Sequence, residues 1–245
     1  MSKKSSYQQI IKSTTIFGGS QALIILIGII RTKIIAILLG PTGIGIIGIY
    51  QSIIDMMRSG FSLGLDTAGV KDIAETEVQK DQTALNRVIS RFNIWFKWSA
   101  IIGSFICLIL CYPISLWAFD SNKYALPIAG LAICVFLATL TTGKSTILQG
   151  MRKIPEMAKS AVWGSLIGLI ITIPIYFIFG LEGIIPAFIV SGGISFLCVE
   201  FYYRKQNIEK ANISNKEAFH EGLSSLKLGI YIVSAALVST VSMFL

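Results

Sequence analysis

Apolar runs of about twenty residues or more alternate with short polar stretches along nearly the whole chain. They cover about 14–39, 44–65, 94–118, 126–149, 160–180 and 184–203, and a seventh begins near 227. A helix needs about 20 mostly apolar residues to cross the hydrocarbon core of a bilayer. Each run therefore predicts one membrane-spanning helix. The first separator is Gly40-Pro41-Thr42-Gly43, a turn with helix breakers at both ends. The others are Asp66 to Arg91, Asp120 to Tyr124, Met151 to Lys159, Leu181-Glu182-Gly183, and Arg204 to Ser225. The predicted fold is an all-α integral membrane protein: a six-span bundle over 1–203, a cytoplasmic linker over 204–225, and the start of a seventh span over 226–245. The seventh run stops at Met243-Phe244-Leu245 with no polar cap, so a fragment of a longer protein is expected.

Composition gives the same class. The chain has 245 residues, 53% hydrophobic and 14% charged, with a mean hydropathy of +0.72. Soluble domains carry about 25% charged residues. The net charge of +8 reports topology rather than nucleic-acid binding, because the basic residues are spread over separate short loops. One set of separators holds Lys3, Lys4 and Lys12, then Lys71, Lys80, Arg87, Arg91 and Lys97, then Arg152, Lys153 and Lys159, then Arg204, Lys205, Lys210, Lys216 and Lys227. The other set holds only Lys123. Under the positive-inside rule this asymmetry puts the N-terminus and the first set in the cytoplasm. Cys107, Cys111, Cys134 and Cys198 all lie in apolar runs, and His220 is the only histidine. That pattern offers no metal site and no cofactor site. No metalloprotease, prenyl-transfer or Walker A motif is present, so an enzyme is not expected.

Four basic residues remain inside predicted spans. Arg31 and Lys33 interrupt the first run. A charge at such depth costs roughly 3 kcal/mol or more and usually faces a bundle interior or a watery cavity. The two are about 200° apart around a helix, so at most one points squarely into a given cavity. In the second run Gln51, Asp55, Arg58 and Ser62 fall on one helical stripe. There Asp55 and Arg58 either neutralise each other as an i,i+3 pair or line a cavity. Lys144 lies near the cytoplasmic end of the fourth run, where snorkelling to the interface is the easier reading and a cavity role the weaker one. Gly164 and Gly168 have the spacing of a close helix contact. Pro174 and Pro186 can kink the fifth and sixth spans.

Several stretches resemble bacterial oligosaccharide flippases in order along the chain. Lys33-Ile-Ile-Ala-Ile-Leu-Leu-Gly40-Pro41-Thr-Gly43-Ile-Gly45 is similar to their first-span exit: a basic residue, an apolar run, and an L/F-G-P-x-G-x-G turn. Leu63-Gly64-Leu65-Asp66 and Gly69-Val70-Lys71 resemble the end of their second span. Leu148-Gln149-Gly150-Met151-Arg152 followed by Gly164-Ser165-Leu166-Ile167-Gly168 resembles their fourth-to-fifth span region, and Leu223 to Ile230 the start of their seventh. The nearest likeness is to the O-antigen translocase and lipid III flippase group of the multidrug/oligosaccharidyl-lipid/polysaccharide exporter superfamily. The resemblance implies the N-terminal bundle of a two-bundle transporter in the bacterial cytoplasmic (inner) membrane. It implies movement of an undecaprenyl-diphosphate-linked oligosaccharide, such as an O-antigen unit, from the cytoplasmic to the periplasmic leaflet. Its implied partners are that substrate, membrane lipid, and the polysaccharide polymerase and chain-length machinery. Only Lys33 falls on a basic position shared with the family; Arg31, Asp55 and Arg58 depart from it and rest on physics alone.

Lys33, Arg31 and Arg58 are thus the expected cationic cavity for a diphosphate, supported by Gln51 and Asp55. One rival is a drug or cation exporter of the same superfamily, which more often needs acidic cavity residues. A second is a membrane enzyme of polysaccharide assembly, for which the outer loops are too short. A third is an inert scaffold, which leaves Arg31 and Lys33 unexplained.

Overall fold

The computed structural model describes residues 3–62, 64–79 and 81–209, together with Ala211 and Glu217. The expected seventh span over 226–245 and most of the linker over 204–225 lie outside the described residues. Within them every regular element is helical and there is no strand. The α-helices are α1 Lys3–Ser62, α2 Leu65–Gln79, α3 Gln82–Ile109, α4 Cys111–Phe119, α5 Ala125–Gly150, α6 Ile154–Phe179 and α7 Ile184–Arg204. Short 3₁₀ turns occupy Asn122–Tyr124 and Gly180–Gly183. Four stretches are long and apolar enough to cross a membrane: Gly18–Ser62, Gln82–Ile109, Asn122–Gly150 and Ile154–Arg204. Large apolar side chains, including Ile37, Phe105, Leu126 and Phe177, face outward from them. So much exposed apolar surface is foreign to a water-soluble monomer and fits a membrane protein.

The first and last of these stretches fold back on themselves. Helix α1 breaks at Gly40, whose φ of 67° and ψ of −172° suit only glycine. Pro41 follows, with a fixed φ suited to the first turn of a helix. Arg31 and Gln51, on either side of the break, line one cavity. On a straight helix they would lie about 30 Å apart. The turn also needs a small residue at Gly43, where a Cβ would meet the Leu39 side chain and lie 3.3 Å from Leu181 Cδ2. Helices α6 and α7 form the second hairpin. A Cβ at Gly164 would lie 3.3 Å from Ser195 Cα, and one at Gly168 would lie 3.4 Å from Ser191 Oγ. The Gly164/Gly168 spacing is therefore the α6–α7 contact.

Helix α5 is the hub. A Cβ at Gly130 would be 2.8 Å from Ile185 Cγ2, and one at Gly192 would be 3.6 Å from Leu137 Cδ1. Further along, Lys144 pairs with Glu200. On α5 these positions step by seven residues, and both helices run the same way. Helix α3 runs antiparallel to α5: Ser104 Oγ donates to the Ala132 carbonyl at 2.7 Å, and Gly143 sits against the Phe96 ring. A Cβ at Gly143 would come within 2.6 Å of Phe96 Cγ. Phe96 is buried and has little room to shift. Gly143→Val should therefore lower stability by about 1–3 kcal/mol through overpacking, seen as a lower thermal midpoint in detergent.

The stretch 66–91, read from sequence as a separator, is helical almost throughout. Leu65, Ala68, Gly69 and Ile73 bury one stripe of α2. Its contacts with α5 run through Gly69, against Thr146, and Gly150, against Ile73. Asp81 caps α3, accepting from the Thr83 and Ala84 amides. Hydrogen bonding, from the Thr83 hydroxyl first, holds its carboxyl below the ordinary range. The third apolar run divides at Leu110 into α3 and α4. Pro113 explains the division, because it has no N–H for the Ile109 carbonyl and its ring crowds that group.

Candidate functional site

The Gly40 turn sets the first arm of α1 beside the second, and the paired arms face α5 and α7. Between them lies a cavity of about 300 Å³. Arg31, Gln51 and Arg58 from α1 line it, with Cys134, Thr141 and Thr142 from α5 and Phe188, Ser191 and Ser195 from α7. Three sequence-selected residues more than twenty positions apart at the extremes thus share one space.

The polar stripe on the second arm is organised by Asp55. Its Oδ2 accepts from Gln51 Nε2 at 3.1 Å, and its Oδ1 accepts from Arg58 Nη2 at 3.4 Å. Arg58 Nη1 donates to Thr142 Oγ1 at 3.2 Å, tying the stripe to α5. Asp55 and Arg58 pair, and Arg58 lines the cavity, whereas Asp55 is not among the lining residues. Ser62, the last member of the stripe, is buried and donates to the Ser59 carbonyl of its own helix. Arg31 makes no hydrogen bond or ion pair among the described residues, so its five N–H donors remain for a ligand. Thr141 lines the cavity and gives its hydroxyl hydrogen to the Leu137 carbonyl at 2.8 Å.

Lys33 takes a different place. It is exposed and does not line this cavity. The half-turn offset from Arg31 along α1 accounts for this. Lys144 is also outside the cavity, and it does not snorkel. Its amine donates to Asn93 Oδ1 at 3.1 Å, lies 3.4 Å from Glu200 Oε2, and sits 3.7 Å from the centre of the Tyr203 ring. Glu200 is a site residue that sequence reading missed. The available signal was an acid inside an otherwise uncharged run, four residues before Arg204. Among the described residues no group of three or more His, Cys, Asp or Glu is placed to hold a metal ion.

Chemically, the cavity offers two guanidinium groups with hydroxyls around them, and Asp55 pairs with Arg58 from outside the lining. A planar fork of N–H donors matches phosphate oxygens in a bidentate manner. Low surrounding polarity strengthens that attraction. Compared with protein-family models, curated proteins and solved structures, the chain matches none.

Proposed function

We propose that this chain forms the anion-holding bundle of a flippase for an undecaprenyl-diphosphate-linked oligosaccharide. The observation that carries the reading is Arg31, without a hydrogen-bond or ion-pair partner among the described residues, sharing a hydroxyl-lined cavity with Arg58 within the apolar bundle. A space of about 300 Å³ is at the small end of ligand pockets. It suits a diphosphate and leaves the sugars outside it and the lipid tail in the bilayer. Between Gly18 and Ile37 most residues of α1 are exposed, as expected where a second bundle or lipid completes the pathway. Alternating access then proceeds by rocking two bundles about the site. On this reading each hairpin crosses the membrane twice, so that the four apolar stretches give six crossings.

The test is restoration of surface polysaccharide in a flippase-deficient strain by the full-length protein, with the Arg31 variants considered below. A drug exporter is the second reading. It is disfavoured because no carboxylate is among the described residues lining the cavity, and Asp55 beside it is engaged by Arg58 and Gln51. Drug resistance without polysaccharide output would reverse that order.

The proposed orientation distinguishes the two ends of the bundle. The Gly40–Gly43 turn meets the Gly180–Gly183 turn at one end, while α2 meets Gly150 at the other. The second end carries Lys71, Arg91, Arg152, Lys153 and Arg204. In the proposed orientation that end is cytoplasmic. An impermeant maleimide on intact cells should label Asn122→Cys and spare Gln79→Cys. The reverse pattern would invert the protein and the proposed direction of transport.

A further inference from the structure

The buried cluster around Lys144 lies just past the cavity, toward the basic end. Thr141 and Thr142 line the cavity, and Lys144 follows on the same helix. Ser195 lines it from α7, and Glu200 follows five residues on, about 7.5 Å along the axis. The α5–α7 seam is held by a glycine contact at Gly130 and another at Gly192. At the next step it is held by an ion pair. Lys144 and Glu200 side chains are only 16% and 17% exposed. Asn93 joins α3 to the same cluster: its Oδ1 accepts from Lys144, and its Nδ2 donates to Tyr203 OH at 2.9 Å. Arg204 donates to the outer oxygen of Glu200 at 2.8 Å, but it is 77% exposed.

Two features make this more than packing. Glycine contacts are always made while the helices touch. An ion pair can be made or broken as a unit, and breaking a buried pair is costly because one charge is left uncompensated. Among the described residues Glu200 Oε2 has no well-aligned hydrogen bond, and the Lys144 amine faces it at 3.4 Å. The arrangement is satisfied on one side and incomplete on the other. That suits a contact that forms in one state and yields in another.

We propose that Lys144 and Glu200 form a gate that closes the cavity between α5 and α7 toward the basic end, with Asn93 and Tyr203 as positioning residues. The gate does not depend on what the cavity carries, so it stands or falls separately from the flippase reading.

Native Cys134 lines the cavity and reports on access to it. The test uses the protein in inside-out vesicles, with Cys107, Cys111 and Cys198 replaced by alanine so that Cys134 is the one cysteine left. The rate of Cys134 modification by a small methanethiosulfonate is measured. Lys144→Gln and Glu200→Gln should each raise the rate about tenfold, equivalent to about 1.4 kcal/mol of lost closure. The charge-exchanged double variant, Lys144→Glu with Glu200→Lys, should bring it back toward the native rate. Arg204→Gln should change it little. If the neutral variants lose thermal stability, Tyr203→Phe removes one hydrogen bond, keeps the ring under the amine, and should give a smaller rise. Unchanged labelling in Lys144→Gln, Glu200→Gln and Tyr203→Phe would overturn the gate. So would an equal rise in Arg204→Gln, which would make the effect one of general charge at that end.

Discussion

Arg31→Ala in the full-length protein should lower surface polysaccharide output at least about tenfold at matched membrane levels. A hydrogen bond to a charged group is worth about 1.5–3 kcal/mol, and removing one such bond to the proposed diphosphate suffices for that drop. Arg31 has no other partner among the described residues, so no structural role absorbs its loss. Arg58→Ala should reduce output as strongly, but part of its effect is local. It also removes the bond to Thr142 and leaves Asp55 without its cation. Arg58→Lys keeps the charge without the bidentate fork and should retain part of the output. Lys33→Ala is the informative comparison. The family resemblance ranks Lys33 first, whereas the geometry places Arg31 in the cavity and Lys33 on the exposed side of α1. A larger loss from Lys33→Ala than from Arg31→Ala would move the anion site to the exposed face. Normal output from both variants would remove the cationic-cavity mechanism.

The parts of the fold readable from sequence were those set by periodic or local signals. The long apolar runs and the Gly40-Pro41-Thr42-Gly43 turn gave helices and a reversal, because bilayer thickness and glycine stereochemistry act over short windows. The Gly164/Gly168 spacing gave a contact, though not its partners Ser191 and Ser195. Helix α2 escaped because its apolar stripe is narrow and its surface is charged. A search for twenty-residue apolar runs cannot find an end-lying amphipathic helix whose buried residues number only four.

The site was legible as a set of residues more than as a geometry. Arg31, Gln51, Asp55 and Arg58 stood out because charge and amide are expensive inside an apolar run. Which of Arg31 and Lys33 enters the cavity depends on rotation of the first arm of α1. That rotation is fixed by contacts across the Gly40 turn, which the sequence does not display. The Lys144 cluster was less visible still. Its four principal members come from α3, α5 and α7, and Asn93 is 110 residues from Tyr203. Only tertiary packing brings the amine, carboxylate, amide and ring together. Lys144 alone looked like a snorkelling lysine because its acid partner lies near the end of another span.

Gly40→Ala should disable the protein almost as fully as the loss of a cavity arginine, although residue 40 touches no ligand. The backbone there, at φ 67° and ψ −172°, lies in a region that is essentially glycine-only and costs about 1–3 kcal/mol for other residues. Space is not the obstacle, since a Cβ at Gly40 meets nothing within 4 Å. The penalty is conformational. Relaxing it requires the chain to turn differently between the two arms of α1, and that turn is what sets Arg31 beside Arg58. Asparagine should not rescue the position, because it tolerates the left-handed helical region, where ψ is near +47°, and not this extended one. Gly45→Ala is the control: it is helical, its Cβ also meets nothing within 4 Å, and alanine favours a helix over glycine by about 1 kcal/mol. The measurement is the thermal midpoint of purified full-length protein alongside polysaccharide output. Gly40→Ala should lower both, and Gly45→Ala should leave both intact or raise the midpoint slightly. A Gly40→Ala protein with native midpoint and output would mean that the reversal is set elsewhere, and that the cavity does not depend on this turn.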